Sequence, residues 1–379
     1  MIIFGAGISA ATIANKFANL GIKVKVYEKN KIGGNCFDYK NKYGIWIQSY
    51  GPHIFHTDKK NIYDFIKQFT RLNTFDNKVL AKIEDKLVNL PINFKSIKLL
   101  SPNQADKIIN YLSSHFKGKQ KVSIYDLLNC KDSYIQDFAK YIYKNVYENY
   151  TTKMWGINPQ DIDKSVLERV GITIGNNDNY FPTDKWQGIP INGFTNMIEK
   201  MFKHKNIDVS YKPPKIKIKN NYVYINNRPT RELIFYCGSL DELFDYKYGH
   251  LPYRSLNIVF QDVKTTSFQN TAIVNYPNHP TMTRISEYKK LYLQNTKNIS
   301  TISKEYPGQY DPTSNKFNKP FYPIQDETSK KQYHQYYDLV KDIPNFIPLG
   351  RLAQYKYYDM DDAIDNALAL FNKFKDKTV

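Results

Sequence analysis

Gly5, Gly7 and Ala10, followed by an acid at Glu28, are the first residues of this chain whose types and spacing could do chemistry. The pattern G-x-G-x-x-A is that of a loop that binds the diphosphate of a dinucleotide. Gly5 permits the tight turn, Gly7 lets the backbone approach a pyrophosphate, and the small Ala10 lets the following helix pack on a sheet with its N-terminus toward the phosphates. Glu28 is placed to accept hydrogen bonds from an adenosine ribose, which favours an unphosphorylated ribose over NADP. The elements that must hold these residues are legible around them. Met1 to Phe4 reads as a strand, Ala11, Ile13, Ala14, Phe17 and Leu20 recur at helical spacing, Gly21 stops the helix, and Lys23 to Tyr27 reads as a second strand. With the fold beginning at the second residue, no cleaved leader is expected.

Composition bounds the function. A chain of 379 residues suggests two or three domains. Its 54 Lys and Arg against 36 Asp and Glu give a net charge of +18, but the lysines are spread along nearly every segment. Such scatter reads as a solvated surface, so nucleic acid is not an expected partner, whereas an anionic small substrate suits the field. Cys36, Cys130 and Cys237 are odd in number and far apart, which argues against a disulfide framework or a zinc cluster and fits a reducing compartment. No apolar run approaches a membrane span, so a cytoplasmic protein is expected.

Further along, Gly33-Gly34-Asn35-Cys36 forms a second glycine turn, and residues 37–47 read as a hairpin. His53 and His56 are three apart, with no carboxylate or cysteine at ligand spacing. No metal is expected there, and lining a ligand pocket is the preferred role. Residues 58–69 read as a helix, 78–89 as a hairpin, and 94–150 as successive helices. After a turn-rich stretch, 194–202 reads as a helix, 209–226 as two short strands, 232–238 as a buried strand, and 254–286 as an antiparallel sheet. Strand then turn follow at 345–351, with a last helix at 361–374.

Eleven blocks in order now carry a resemblance: Gly33-Gly34-Asn35-Cys36, YGPHIFHT (50–57), NLPIN (89–93), YTTKMWG (150–156), DNYF (178–181), QGIP-x-x-GFT (187–195), LPYRSL (251–256), TRISE (283–287), KEYP (304–307), FYPI (321–324) and GRLAQYKYYDMD (350–361). Together they resemble the bacterial UDP-galactopyranose mutases over essentially the whole chain. The resemblance implies an α/β fold: a Rossmann-type FAD-binding domain (1–75, 187–240 and 336–379), a helical insertion over the nucleotide (94–165), and an antiparallel β-sheet domain (76–93, 166–186 and 241–335). It also implies reduced FAD as cofactor and, as reaction, the interconversion of a UDP-sugar pyranose and its furanose for surface polysaccharide. In that chemistry a flavin nitrogen attacks the anomeric carbon, UDP leaves, and a covalent flavin–sugar adduct opens and recloses. A cytoplasmic homodimer is expected by the same resemblance.

The same resemblance assigns residues. Arg169 and Arg284 match the arginines on the diphosphate, where a guanidinium can bridge phosphate oxygens in a fork. Tyr180, Tyr322 and Tyr357 match tyrosines that reach it. Tyr147, Tyr150, Thr151 and Trp155 match the nucleotide side, with an aromatic face for a base. His53 and His56 match residues beside flavin and sugar, while Asn77, Asn275 and Asp359 match polar residues of the pocket. Cofactor contacts are expected from Gly5, Gly7, Ser9, Ala10, Glu28, Lys29, Gly34, Asn35, His53, Arg351 and Met360. Three departures stand out: Gln48 where the family commonly has His, Val170-Gly171-Ile172-Thr173 in place of a version with a further arginine, and FYPIQ in place of YYPIP. These bear on the sugar and the nucleotide, leaving a different NDP-sugar open as substrate. The competing class is an FAD-dependent oxidoreductase of the amine-oxidase type, which shares the opening fingerprint and leaves Arg169, Arg284 and the tyrosines unexplained.

Overall fold

The computed structural model describes residues 1–161 and 171–377. The strand Ile2–Phe4 is the centre of a five-stranded parallel sheet, ordered Ile207–Ser210, Val24–Tyr27, Ile2–Phe4, Ile234–Tyr236 and Phe346–Pro348. Successive side chains of a strand point to opposite faces. Ile3, Val24, Val26 and Phe235 therefore join the helices Ile8–Asn19, Gly193–Phe202 and Met360–Phe374 in one core. Ile2, Phe4, Ile234, Tyr236 and Phe346 turn the other way, toward Val223 of a three-stranded meander and Tyr336 of the helix Glu327–Tyr337. Because both faces are covered, the central strands Ile2–Phe4 and Ile234–Tyr236 read as unbroken apolar runs.

The stretch expected as two short strands at 209–226 divides differently. Ile207–Ser210 is an edge strand of the parallel sheet, and Ile216–Lys219, Tyr222–Ile225 and Arg228–Thr230 form the meander. The helix Glu327–Tyr337 also escapes the sequence pattern, because it buries only Ser329 and Tyr336 and so shows little apolar periodicity.

The second body is a seven-stranded sheet, ordered Tyr322–Pro323, Tyr253–Val263, Ser300–Gln309, Arg284–Glu287, Ile273–Asn275, Val79–Ile83 and Lys86–Leu90. Its pairs are antiparallel except Ile273–Asn275 beside Val79–Ile83, which run parallel. Ser300–Gln309 lies within the sheet although it contains Pro307 and Gly308. The ladder to Arg284–Glu287 ends at Glu305, so the missing N–H of Pro307 falls beyond that pairing.

The helical insertion is set by its caps. Asn93 accepts from the Ser96 N–H, Ser123 from that of Asp126, and Asp132 from those of Tyr134 and Ile135, starting the helices Phe94–Leu100, Ile124–Leu128 and Ser133–Ile142. Residues Tyr143–Glu148 are a π-helix that runs into the helix Asn149–Trp155. The sequence pattern, read as helix throughout, does not reveal this widened turn. The short strand Gly171–Thr173, expected with the large sheet, instead pairs with Lys121–Ser123 inside the insertion, while Ile172 bridges to Ile92. Among the described residues no helix is long and apolar enough to cross a membrane. All three cysteines are free thiols.

Candidate active site

The glycine end of the cleft is built from three loops that meet. Gly5 has φ +108° and a Cβ there would lie 2.9 Å from the Cβ of Cys237; Gly34 has φ +55° and a Cβ there would lie 3.1 Å from the Cα of Gly7. Gly7 opens the helix Ile8–Asn19 with no side-chain cap, so Ser9 and the fully buried Ala10 form a first turn whose N–H groups point outward as an anion site. Gly350 closes the cradle, since a Cβ there would meet Ser9 Oγ at 3.3 Å. Glu28 accepts from the N–H of Ala6 (2.8 Å) and of Asn30 (2.7 Å), tying the glycine loop to the end of Val24–Tyr27. Asn35 sits in the turn Gly34–Cys36, and Met360 begins the last helix. Lys29, expected with the cofactor contacts, turns outward to pair with Glu242 at 2.8 Å, and both side chains are exposed.

Arg351 marks the passage to the second half of the cleft. It donates to the carbonyls of Phe321 (3.0 Å) and Tyr358 (2.6 Å), and its guanidinium lies 4.8 Å from the centre of the Tyr357 ring. The Tyr357 hydroxyl donates to Asp359 Oδ1 at 2.8 Å, so Asp359 caps the last helix by position and orients a phenol with its side chain. Tyr322 stacks against Tyr357 at 5.9 Å and approaches Trp155 at 6.2 Å. Its neighbour Phe321 is buried with Met154 and Leu256, so of the two rings Tyr322 is the one facing the cleft.

Arg284 stands in the large sheet directly across from Asn275 on one side and Glu305 on the other. Its Nε lies 3.1 Å from Glu305 Oε2, and the Glu305 side chain is wholly buried. Burial alone would lower the Arg284 guanidinium, but Glu305 and the phenols of Tyr150, Tyr322 and Tyr180 outweigh it, and the net direction is up. Burial pushes the Glu305 carboxyl up while Arg284 pulls it down, leaving it raised. Burial likewise raises Tyr150 and Tyr322 against the pull of Arg284, and raises Tyr357, where Asp359 adds to the effect. The consequence is chemical: a fixed cation is ringed by phenols that stay protonated and can donate to an anion.

The helical insertion supplies the far wall. The Tyr147 hydroxyl donates to the carbonyl of Gly171 (2.8 Å), which binds the insertion to its own short sheet, and Thr151 is buried beside it on the helix Asn149–Trp155. Asn77 receives the N–H of Tyr180 on its carbonyl at 2.8 Å. Its side chain is fully buried, and neither Nδ2 nor Oδ1 has a hydrogen-bond partner among the described residues; the same holds for Asn275 Oδ1 and Thr173 Oγ1. Buried polar atoms without partners are costly, and a ligand that answers them binds where they point.

The two histidines are held differently. His53 Nδ1 is 2.8 Å from the carbonyl of Gly51, which fixes the proton on Nδ1 and leaves Nε2 an acceptor. Burial, reinforced by the charge of Arg351, lowers His53 to about 4, so its ring is neutral near pH 7. Gln48 braces the same loop: its amide nitrogen donates to the His53 carbonyl (3.1 Å) and to Tyr292 Oη (2.9 Å), and its oxygen accepts from the His53 N–H. His56 stacks on Phe181 with ring centres 3.5 Å apart, and its Nδ1 is 2.7 Å from Asp184 Oδ2.

Of the expected residues, Arg284, Tyr150, Tyr180, Tyr322, Tyr357, Asp359, Arg351, His53 and Trp155 form one electrostatic and ring-contact cluster. His56 stands beside it through Phe181, whose ring also meets Tyr180 edge-on at 5.0 Å. Arg169 lies outside the described residues. Glu305 and Asp184 were not singled out from the sequence, although KEYP held the first among the quoted blocks. A carboxylate beside an arginine declares itself only when the sheet pairing is known.

A dinucleotide cradle facing a charge-paired arginine and a ring of protonated phenols defines a nucleotide-cofactor enzyme for an anionic substrate. Residues 3–69 match the NAD(P)-binding Rossmann-like domain, and residues 145–357 match the family described as UDP-galactopyranose mutase. The chain is 37% identical over 375 residues to the UDP-galactopyranose mutase of Mycoplasma pneumoniae, spanning 97% of this chain and 94% of that one. It is 31% identical over 379 residues to the dTDP-fucopyranose mutase of Escherichia coli, spanning 97% and 96%. The crystal structure of a reduced UDP-galactopyranose mutase matches with a TM-score of 0.73 at 14% identity, covering 99% of this chain and 95% of that one, a likeness that establishes the fold. The chain belongs to the UDP-galactopyranose mutase family, whose members are isomerases that use a flavin. A flavin dinucleotide fits the residues present, because two glycine loops meet beside the uncapped N-terminus of Ile8–Asn19, so closely that a Cβ on Gly34 would lie 3.1 Å from the Gly7 Cα.

Proposed function

We propose that this protein is a flavin-dependent mutase that interconverts UDP-galactopyranose, or a closely related nucleotide sugar, and its furanose, as a cytoplasmic homodimer serving surface polysaccharide synthesis. The observation that carries this reading is Arg284, held against Glu305 and ringed by Tyr150, Tyr180 and Tyr322, with its charge and that of Arg351 both felt at His53 at the flavin end. An oxidoreductase acting on an amine has no use for that arrangement.

Gly5, Gly7, Ser9, Ala10, Glu28, Gly34, Asn35 and Arg351 would hold FAD, with the diphosphate at the N-terminus of the helix Ile8–Asn19. Reduced FAD supplies, when bound, a nucleophilic ring nitrogen for the anomeric carbon. Arg284 neutralises the diphosphate as it departs, and Arg169 joins it by the family resemblance. Tyr150, Tyr180, Tyr322 and Tyr357 donate hydrogen bonds to its oxygens, which keeps the leaving group in place for recapture. Neutral His53 accepts a hydrogen bond without adding a charge that would compete with Arg284 for the phosphates. Trp155 and Thr151 take the base, and the helical insertion excludes water from the reacting sugar. The division into an FAD domain, a helical insertion and a sheet domain belongs to the same reading.

The test is incubation of the purified protein with dithionite-reduced FAD and, separately, UDP-galactopyranose and a set of dTDP-hexoses that includes dTDP-fucopyranose, with products resolved by NMR. A furanose should form from at least one, and none should form with oxidised FAD. Full flavin loading with no furanose from any of them would overturn the assignment.

A further inference from the structure

The helix Asn149–Trp155 carries candidate nucleotide contacts at Tyr150, Thr151 and Trp155, and it also carries a lysine that the reaction does not use. Lys153 Nζ donates to the carbonyl of Tyr276 (3.0 Å), that of Pro277 (2.9 Å) and that of His279. An ammonium has three protons, and each of these finds a different carbonyl. A solvated surface lysine would leave its head group in water; burial of this one lowers it to about 8.

The three carbonyls belong to the connection between Ile273–Asn275 and Arg284–Glu287, at whose base Asn275 and Arg284 face one another. Asn149, one turn before Lys153, donates from Nδ2 to Asn278 Oδ1 at 2.7 Å in the same connection. The connection is stiff in itself: Tyr276 N–H donates to the Thr283 carbonyl at 2.8 Å, and His279 Nδ1 accepts from the N–H of Met282 at 2.9 Å. Arg254 grips the other end of the helix through the carbonyls of Met154 (2.7 Å) and Lys153 (3.2 Å). A side chain in place of Gly156 would collide with that guanidinium at 2.6 Å.

We propose that Lys153 is a positioning residue that sets the width of the nucleotide-sugar cleft, by clasping the helix that bears Tyr150, Thr151 and Trp155 to the hairpin that bears Asn275 and Arg284. The proposal rests on the reading of this cleft as a nucleotide-sugar site. Base and diphosphate are joined covalently in one ligand of limited reach, so a site that reads both must keep its two walls in register. The clasp joins those walls through backbone carbonyls, outside the residues that face the ligand.

The experiment compares the flavin-loaded wild type with Lys153→Met, which keeps the length and apolar stem, and Lys153→Arg, which keeps donors for carbonyls. UDP and dTDP binding are followed by calorimetry, KM and kcat are measured separately, and amide hydrogen exchange is followed over 149–155 and 276–283. Loss of a charge-assisted clasp should weaken nucleotide binding and raise KM in Lys153→Met by about tenfold, with a smaller change in kcat, and Lys153→Arg should recover most of it. Faster exchange in both segments should accompany the loss, with flavin content unchanged. Wild-type nucleotide affinity in Lys153→Met would overturn the clasp, as would parallel loss of KM, kcat and flavin. If the wild type itself binds neither nucleotide, the functional reading fails, and unaltered exchange at 149–155 and 276–283 in Lys153→Met would then overturn the clasp on its own.

Discussion

At the glycine end of the cleft, Glu28 accepts from Ala6 and Asn30, and Arg351 donates to the carbonyls of Phe321 and Tyr358. At the other end, formed by the large sheet and the helical insertion, the amide of Asn77, the side-chain oxygen of Asn275 and the hydroxyl of Thr173 are buried without partners among the described residues, and Glu305 is buried against Arg284. The first region is finished by its own backbone and offers a ligand preset N–H groups and glycine surfaces. The second holds polar groups that find no partner among the described residues, an arrangement that costs stability. The difference suggests a division of labour, with a resident cofactor at one end and an exchanging anionic ligand at the other.

The sharpest break of that contrast comes at Arg284. Arg284→Lys keeps a cation beside Glu305 but replaces a fork with a point charge, and turnover should fall about a hundredfold while flavin content, read from absorbance, stays the same. Arg284→Ala should cost stability as well, because Glu305 is then buried with no cation beside it. Unchanged turnover in Arg284→Lys would remove the reason for treating the two ends as different.

His53 lies where the ends meet and should reveal itself through pH. Its folded value is about 4 against an ordinary 6.5. Between these values the unfolded chain holds more protons, so stability rises with pH through that window, is fully present above it, and is lost as the pH falls toward 4. The full effect is about 3 kcal/mol, and His53→Asn should flatten the slope in urea unfolding measured on either side of the window. A slope unaltered by the substitution would place the titration elsewhere.

The smallest effect probes the finished end. Gly34→Ala puts a Cβ 3.1 Å from the Gly7 Cα on a backbone with φ +55°. Stability should drop by about 1–2 kcal/mol, and flavin should be lost on gel filtration while Arg284→Lys retains it. Retention of flavin by Gly34→Ala would show that the two glycine loops are not the cradle.

Much of this was legible in the residues themselves. The glycine loop, its strands, its helix and Glu28 are consecutive, so local spacing reveals them. Arg284 and the tyrosines needed eleven blocks read together, because their proximity arises from sheet pairings between residues far apart in the chain. Local pattern also misled: Lys29 follows Glu28 in sequence but lies past the strand Val24–Tyr27, where the chain bends and its side chain pairs with Glu242. Ser300–Gln309 hides behind Pro307, the helix Glu327–Tyr337 buries its inner face with Ser329 and tyrosines rather than aliphatic residues, and Gly171–Thr173 looks like any short strand until its partner Lys121–Ser123 is known.

The widened turn at Tyr143–Glu148 makes the nucleotide wall sensitive to length as well as to composition. A π-turn accommodates one residue more than an α-turn, so removing a residue there would let the segment relax to an ordinary helix with its flanks facing much as before, whereas tightening the same residues to α geometry without a deletion would rotate everything after them by about 100°. In that second case Ile135, Phe138 and Ala139 would keep their places in the core, while Tyr150, Thr151 and Trp155 would be carried off the face they now present. The extra residue held in the widened turn thus sets which side of the helix Asn149–Trp155 faces the cleft, without any change to the side chains that helix carries.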